Sequence, residues 1–164
     1  MNNNYFECKV KFEKLLEDGL KKQVTENYLV EAINHAEAEN RIATEMEPYI
    51  SGEFSVEGVR KVKYAEIIGA DNNEADRWYK TKVVFLTFDE EKGTEKRRPV
   101  NMLVKAASVE DGLRDVRETM RETVSDYEIA AIAETSILDF YPYAEPTSEE
   151  AFYEEGEDEE NVED

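Results

Sequence analysis

The first half of this chain alternates apolar and polar side chains in the period expected of half-buried β-strands. Side chains two positions apart share one face of a strand. Residues 5–12 follow this rule with apolar side chains at Phe6, Cys8, Val10 and Phe12. A turn signal, Asp18-Gly19, comes next, and a second extended stretch runs through residues 22–32. The pattern therefore predicts two neighbouring strands joined by a turn.

A helix and a third strand are predicted after these two strands. Asn34 with Glu37 three residues later is typical of a helix N-terminus. Apolar residues then recur every fourth position, which is the spacing of one helix face: Ala38, Ile42, Met46 and Ile50. Beyond Gly52, residues 54–68 are predicted to form one long strand, bulged near Gly58.

The second half of the chain repeats this order of elements. Residues 78–85 match residues 5–12, Gly93 matches Gly19, and residues 102–106 match residues 28–32. Ser108 and Asp111 occupy the positions equivalent to Asn34 and Glu37 at the start of the first helix. The second apolar stripe is predicted at Gly112, Val116, Met120 and Val124, helped by Val109 and Leu113. Residues 127–141 then match the third strand, residues 54–68.

We interpret this pattern as an internally duplicated β-β-α-β unit, with repeats at residues 4–68 and 77–143 and a solvated linker at 69–77. The alternative is that any two stretches of this type share such a pattern. One unit is too small to bury its own sheet and helix, whereas two units can complete one sheet. The predicted fold class is α+β: one domain over residues 1–144, a mostly antiparallel sheet of about six strands, and two helices on one face.

Several segments also resemble a known family. They include residues 5–10, 24–30, 50–54, 76–80, 133–135 and 141–143. In combination they are similar to the domain-of-unknown-function 4494 family of small bacterial and phage-borne proteins. The resemblance covers about residues 4–144. It implies no activity and no site residues, because the family has no established ones to transfer.

The charge is concentrated at the C-terminal end. The chain has 164 residues and a net charge of −20. Residues 145–164 hold 11 acidic and no basic residues, so subtracting 11 from 20 leaves −9 for residues 1–144. A segment with so many like charges and so few apolar side chains cannot offset the entropy of ordering. We therefore expect residues 145–164 to form a disordered acidic tail.

The sequence favours a cytoplasmic protein without a membrane contact. No stretch approaches the ~18 apolar residues of a membrane-spanning helix. The N-terminal residues have neither the basic nor the apolar region of a signal peptide. A single cysteine, Cys8, makes neither an internal disulfide nor a structural zinc site.

Nothing in the sequence supports an enzyme, a cofactor or a metal site. The only histidine, His35, follows a helix cap, where we expect an exposed or half-buried helix residue rather than a catalytic base. Cys8 is expected to be a small buried thiol. Glycine-rich phosphate loops are missing, and residues 71–76 resemble a calcium loop but depart from the EF-hand pattern at Ala75 and Asp76.

One surface is a candidate ligand site. If Phe6 and its alternating neighbours face the helices, the opposite face of the sheet carries aromatic and basic side chains, a combination able to stack bases and neutralise phosphates of a single strand. These are Tyr5, Lys9, Lys11, Trp78, Lys80 and Lys82. Wet sheet faces often carry such residues without any ligand, and nearby Glu7 and Glu13 reduce the positive field.

Three functions are compatible with these features. The first is a non-enzymatic accessory or adaptor protein that acts through protein–protein contacts, by the sheet face or the tail. The second is a single-stranded nucleic-acid-binding protein with a regulatory acidic tail. The third is an acidic DNA-mimic or anti-defence decoy, although a mimic needs rigidly spaced carboxylates and most of the excess charge lies in the tail.

Overall fold

Two helices and eight strands make up the described part of the chain, residues 4–143 of a computed structural model. The first half supplies β1 (Asn4–Leu15), β2 (Lys21–Ala32), α1 (His35–Met46), β3 (Phe54–Val62) and β4 (Glu66–Ile68). The second half supplies β5 (Arg77–Asp89), β6 (Thr94–Ala106), α2 (Val109–Thr119), β7 (Asp126–Glu134) and β8 (Ile137–Tyr141). The α+β class is as predicted, and each half has the order β-β-α-β-β, which is one strand more than the predicted unit.

The strands form two four-stranded sheets that exchange their last strands. The strand order is β3-β1-β2-β8 in the first sheet and β4-β6-β5-β7 in the second. β8, from the second half, pairs in parallel with β2, and β4, from the first half, pairs in parallel with β6. The remaining pairs are antiparallel. Each half therefore completes the sheet of the other half.

The prediction of one six-stranded sheet with both helices on one face is wrong. The predicted long strands at residues 54–68 and 127–141 each break in two, because residues 63–65 and 135–136 carry the chain across to the other sheet. Helix α1 packs only on the first sheet and α2 only on the second. Each sheet thus has one helix of its own.

The two sheets meet through what we call the inter-sheet cluster, on the faces turned away from the helices. Its four buried members are Leu29, Trp78, Leu103 and Ile137, and five half-buried side chains pack around them: Tyr5, Val62, Tyr64, Ile67 and Phe140. Apolar side chains at these positions give each sheet two apolar faces, so one face needs the helix and the other needs the second sheet. The layers run α1, first sheet, second sheet, α2.

The helix-side cores of the two halves correspond position by position. The first consists of Phe6, Cys8, Val10, Tyr28, Val30, Ala32, Ala38, Ile42 and Met46. The second consists of Tyr79, Val83, Met102, Val104, Ala106, Val116 and Met120, with Thr81 and Gly112 buried at the places of Cys8 and Ala38. The strand alternation and the helix stripes were therefore predicted correctly at these positions.

Both predicted helix caps are present. The Asn34 side chain accepts a hydrogen bond from the Glu37 amide at 2.9 Å, and Ser108 accepts one from the Asp111 amide at 3.1 Å. Such caps satisfy amides that have no partner inside the helix. The ends of the stripes are different from the prediction, since α1 ends at Met46 and Val124 is 99% exposed.

The predicted bulge near Gly58 is also present. The register of β1 against β3 shifts between Lys9 and Val10, which leaves one extra residue on β3 before Gly58. An equivalent shift lies between Lys82 and Val83, opposite β7. An extra residue bends its strand and increases the local twist, and both halves bend at the same place.

The described residues support no statement on the acidic tail, because residues 145–164 lie outside them. Within residues 4–143, neither helix has the length or the apolar content to cross a membrane. The equivalent cores and bulges of the two halves agree with a duplication, which itself stays a prediction.

Candidate functional site

The six residues of the predicted ligand face do not form one open surface. Trp78 is only 1% exposed and Tyr5 is half-buried, because both lie in the inter-sheet cluster. Each packs edge-on against Phe140 of the exchanged strand β8, with ring centroids 6.2 Å and 6.0 Å away respectively. Trp78 is therefore unable to stack on a base in this conformation. The structure places it in the core that joins the sheets.

The lysines of that predicted face lie outside the cluster. Lys9, Lys80 and Lys82 are exposed and Lys11 is half-buried. Lys9 lies opposite Asn27 on β2, and Lys82 lies opposite Asn101 on β6. These lysines thus flank the buried aromatic residues on two separate sheets, and no exposed ring is interleaved with them as the sequence suggested.

The single cysteine and the single histidine of the sequence are placed as predicted. Cys8 is fully buried, and burial, followed by the nearby charges of Glu7 and Glu39, raises the pKa of its thiol to about 12. The thiol is therefore protonated near neutral pH. A cysteine nucleophile has to be a thiolate, so Cys8 is unsuited to that role. His35 begins α1, is exposed, and packs its ring edge-on against Phe6 with centroids 4.8 Å apart.

A different surface stands out at the far end of the first sheet. β3 pairs with β1 only as far as Phe12, and β8 pairs with β2 only from Asn27 onward. Residues 13–23 therefore project as a two-stranded ribbon. We call this segment the leucine ribbon, because Leu15 is 67%, Leu16 37% and Leu20 65% exposed. Exposed apolar groups that lie so close together are typical of an interaction surface.

The turn of the leucine ribbon is held by hydrogen bonds. The amide of Leu16 donates to the carbonyl of Leu20 at 2.8 Å, and the amide of Gly19 donates to the carbonyl of Leu16 at 3.0 Å. Gly19 has a φ of +83°, a conformation that glycine adopts without steric cost. The Asp18 carboxylate accepts from the amide of Leu20 at 3.0 Å. The leucines are thus presented on an ordered turn.

Two open hollows lie beside the ribbon, and Leu15 lines both. The larger, about 830 Å³, lies between the ribbon and residues 51–55. The smaller, about 270 Å³, lies between the ribbon and the end of α1, where it is lined by Phe12, Met46 and Tyr49. Tyr49 is 79% exposed. The smaller hollow is mainly apolar beside Leu15, whereas charged and polar side chains line most of the larger one.

The equivalent hairpin of the second half has a different character. The registers of the two hairpins put Phe88, Asp89 and Thr94 at the positions of Leu15, Leu16 and Leu20. Asp89 accepts hydrogen bonds from two amides of its turn and pairs with Lys96 at 3.6 Å. A charged network therefore closes this second turn. Phe88 is as exposed as Leu15, at 67%, so the difference lies at the other two positions, where Asp89 and Thr94 are polar. The fold therefore does not itself require exposed leucines at positions 16 and 20.

Sequence reasoning missed the leucine ribbon, although a signal was present. Leu15 and Leu16 are adjacent, and adjacent residues of a strand point to opposite faces. Two neighbouring leucines therefore break the alternation that holds up to Phe12. With no helix stripe or third strand available there to cover them, at least one had to be exposed.

Comparison with known proteins identifies a family for most of the chain. The sequence model of a family described as "Domain of unknown function (DUF4494)" matches residues 4–143. No curated protein and no solved structure matches the chain.

Proposed function

Because the chain belongs to the DUF4494 family of domains of unknown function, its role has to be inferred from its own surfaces, and we propose that it is a non-enzymatic accessory or adaptor protein. In this proposal it acts in the cytoplasm through protein–protein contacts. The leucine ribbon is the main docking element.

The observation that supports this proposal is the exposure of Leu15, Leu16 and Leu20 on an ordered turn. Burying one leucine side chain against a partner contributes roughly 1.5–3 kcal/mol. Hydrogen bonds already fix the turn, so less conformational entropy is lost on binding. A partner that covers these leucines and inserts an apolar side chain into the smaller hollow, which Phe12, Met46 and Tyr49 line, would complete the interface.

The two alternative functions receive less support. Binding of single-stranded nucleic acid on the predicted sheet face would need Trp78 to be exposed, but Trp78 is buried between the sheets. The decoy function depends mainly on residues 145–164, which hold 11 of the acidic residues and lie outside the described part of the chain. It stays a prediction.

We also propose that the two halves arose by duplication. Their equivalent cores, bulges and exchanged strands support this proposal. If both halves descend from one unit, exposed features found in only one half were added afterwards. Leu16 and Leu20 are such a feature, because polar residues take their places in the second half, and this makes them better candidates for function than anything the halves share.

Site-specific photo-crosslinking in the native host tests the docking role. A photoreactive residue at Leu16 or Leu20 should give the same major protein adduct, because both side chains project from one turn. The matched control is Thr94, which lies at the equivalent place in the second half. The proposal is contradicted if Thr94 gives the same adduct, or if neither leucine position gives any.

A further inference from the structure

A third hollow lies at the opposite end of β1 from the leucine ribbon. It has a volume of about 470 Å³, within the range of about 300–1,000 Å³ that is usual for small-molecule sites. It is lined by Asn4, Tyr5, Lys61, Val62, Lys63 and Tyr64. We call it the Tyr–Lys hollow. Tyr5 pairs across β1 and β3 with Val62, just before the chain leaves the first sheet.

Basic side chains are concentrated beside this hollow, although the chain as a whole is acidic and Glu31 and Glu7 lie near its two tyrosines. The protein has 40 acidic and 20 basic residues, yet residues 58–65 contain three basic and no acidic side chains. Arg60 pairs with Glu7 at 3.0 Å. Lys61 and Lys63 are exposed, and among the described residues no carboxylate oxygen lies within 4.0 Å of either ammonium group.

The fold does not require these two lysines. Lys61 lies opposite Phe6, and the equivalent residue of the second half is Glu134, which lies opposite Tyr79. The residue two positions further, at the place of Lys63, is Ser136. The basic pair is therefore particular to the first half, as Leu16 and Leu20 are.

The aromatic residues supply the other part of a binding site. The rings of Tyr5 and Tyr64 are half-buried, with centroids 6.4 Å apart and an edge-to-face arrangement. Burial raises the pKa of both hydroxyl groups, and the charges of Glu31 and Glu7 respectively raise them further. Both hydroxyls thus remain protonated and able to donate a hydrogen bond. The ring edges and surfaces that stay exposed are apolar.

We propose that the Tyr–Lys hollow binds single-stranded nucleic acid, with one base against Tyr5 and Tyr64 and adjacent phosphates at Lys61 and Lys63. Bases stack on aromatic side chains while lysines neutralise the backbone. An acidic peptide would use the lysines and leave the rings without a partner, whereas a nucleotide uses both. The site shares Tyr5 with the sheet face predicted from the sequence but includes none of the lysines of that face.

This inference does not depend on the leucine ribbon. Tyr5 and Leu15 are separated by ten residues of one strand, or about 34 Å at the usual rise per residue. The two surfaces are therefore far enough apart to act independently, and together they would allow the protein to link a nucleic acid to a partner protein.

The test is the binding of a fluorescently labelled oligothymidylate to the full-length protein at low salt. The double variant Lys61→Gln/Lys63→Gln should weaken binding about tenfold and reduce its salt dependence, since two phosphate contacts are removed. The matched control, Lys80→Gln/Lys82→Gln, removes the same charge from the face predicted earlier. It should change affinity by no more than about twofold.

A third variant tests the aromatic part of the site. Tyr64→Leu retains an apolar side chain for the inter-sheet cluster but removes the ring and its hydroxyl. It should weaken binding several-fold, and the variant should still show a cooperative melting transition. The lysine variants still decide the question if this one fails to fold. Equal effects of both lysine pairs, no binding by the wild type, or equally effective competition by polyglutamate would each overturn the proposal.

Discussion

Replacing Trp78 by alanine should destabilise the protein by about 3–5 kcal/mol, the usual cost of removing a large buried aromatic side chain. Trp78 is 1% exposed and packs on Phe140 of the exchanged strand β8, while the Lys105 ammonium lies 5.8 Å from its ring centroid. The substitution opens a cavity between the sheets, so we expect both sheets to unfold in one transition at lower urea concentration.

The equivalent residue of the first half provides the control for this prediction. Tyr5 belongs to the same cluster but is half-buried, so Tyr5→Ala removes less buried area and should cost clearly less than Trp78→Ala. If Trp78 were instead part of an open ligand face, its replacement would change stability by no more than about 0.5 kcal/mol. That small value, measured by urea unfolding, would contradict the packing described above.

Replacing Ile137 by alanine should destabilise the first sheet although Ile137 belongs to the second half of the chain. Ile137 is 4% exposed and begins β8, where it pairs with Asn27 of β2. We expect a loss of about 2–4 kcal/mol, as for other buried aliphatic side chains. In hydrogen exchange, the amides of residues 27–30 should lose protection earlier than those of β5 and β7.

The control for the exchanged strand is Ile132→Ala in β7. Ile132 packs against the helix-side core of the second half. Its replacement should therefore reduce the hydrogen-exchange protection of the amides in the second sheet first. If Ile137→Ala also affects the second sheet first and leaves residues 27–30 protected, then β8 does not complete the first sheet in solution.

The sequence contained enough information to predict the local elements. Alternation placed Phe6, Cys8 and Val10 towards the helix, and short polar side chains marked both helix starts. These features depend on residues within a few positions of each other. Local periodicity and capping chemistry specify them, and no knowledge of the rest of the fold is needed.

The sheet arrangement was harder to predict, because it depends on which sheet the short strands β4 and β8 join after residues 63–65 and 135–136. β4 has only three residues and pairs with a strand of the other half. One clue was available in the run Tyr28-Leu29-Val30 and its counterpart Met102-Leu103-Val104. Three consecutive apolar residues are typical of a strand buried on both faces.

Two of the six residues of the predicted ligand face, Tyr5 and Trp78, lie in the inter-sheet cluster for the same reason. Tyr5 and Trp78 alternate with lysines, so in sequence they look like a wet face with exposed rings. The lysines remain exposed, but the rings face the second sheet, which the sequence did not predict. The two surfaces that we propose for function lie at the two ends of β1, in the leucine ribbon and the Tyr–Lys hollow.

The packing of the two sheets through the inter-sheet cluster is the central claim, and the fluorescence of the unmodified protein tests it most directly. Trp78 is the only tryptophan in the chain, so the emission reports on this cluster alone. We predict blue-shifted native emission that iodide and acrylamide quench poorly and that oligothymidylate leaves unchanged. Emission like that of free tryptophan, readily quenched in the native state, would contradict the claim.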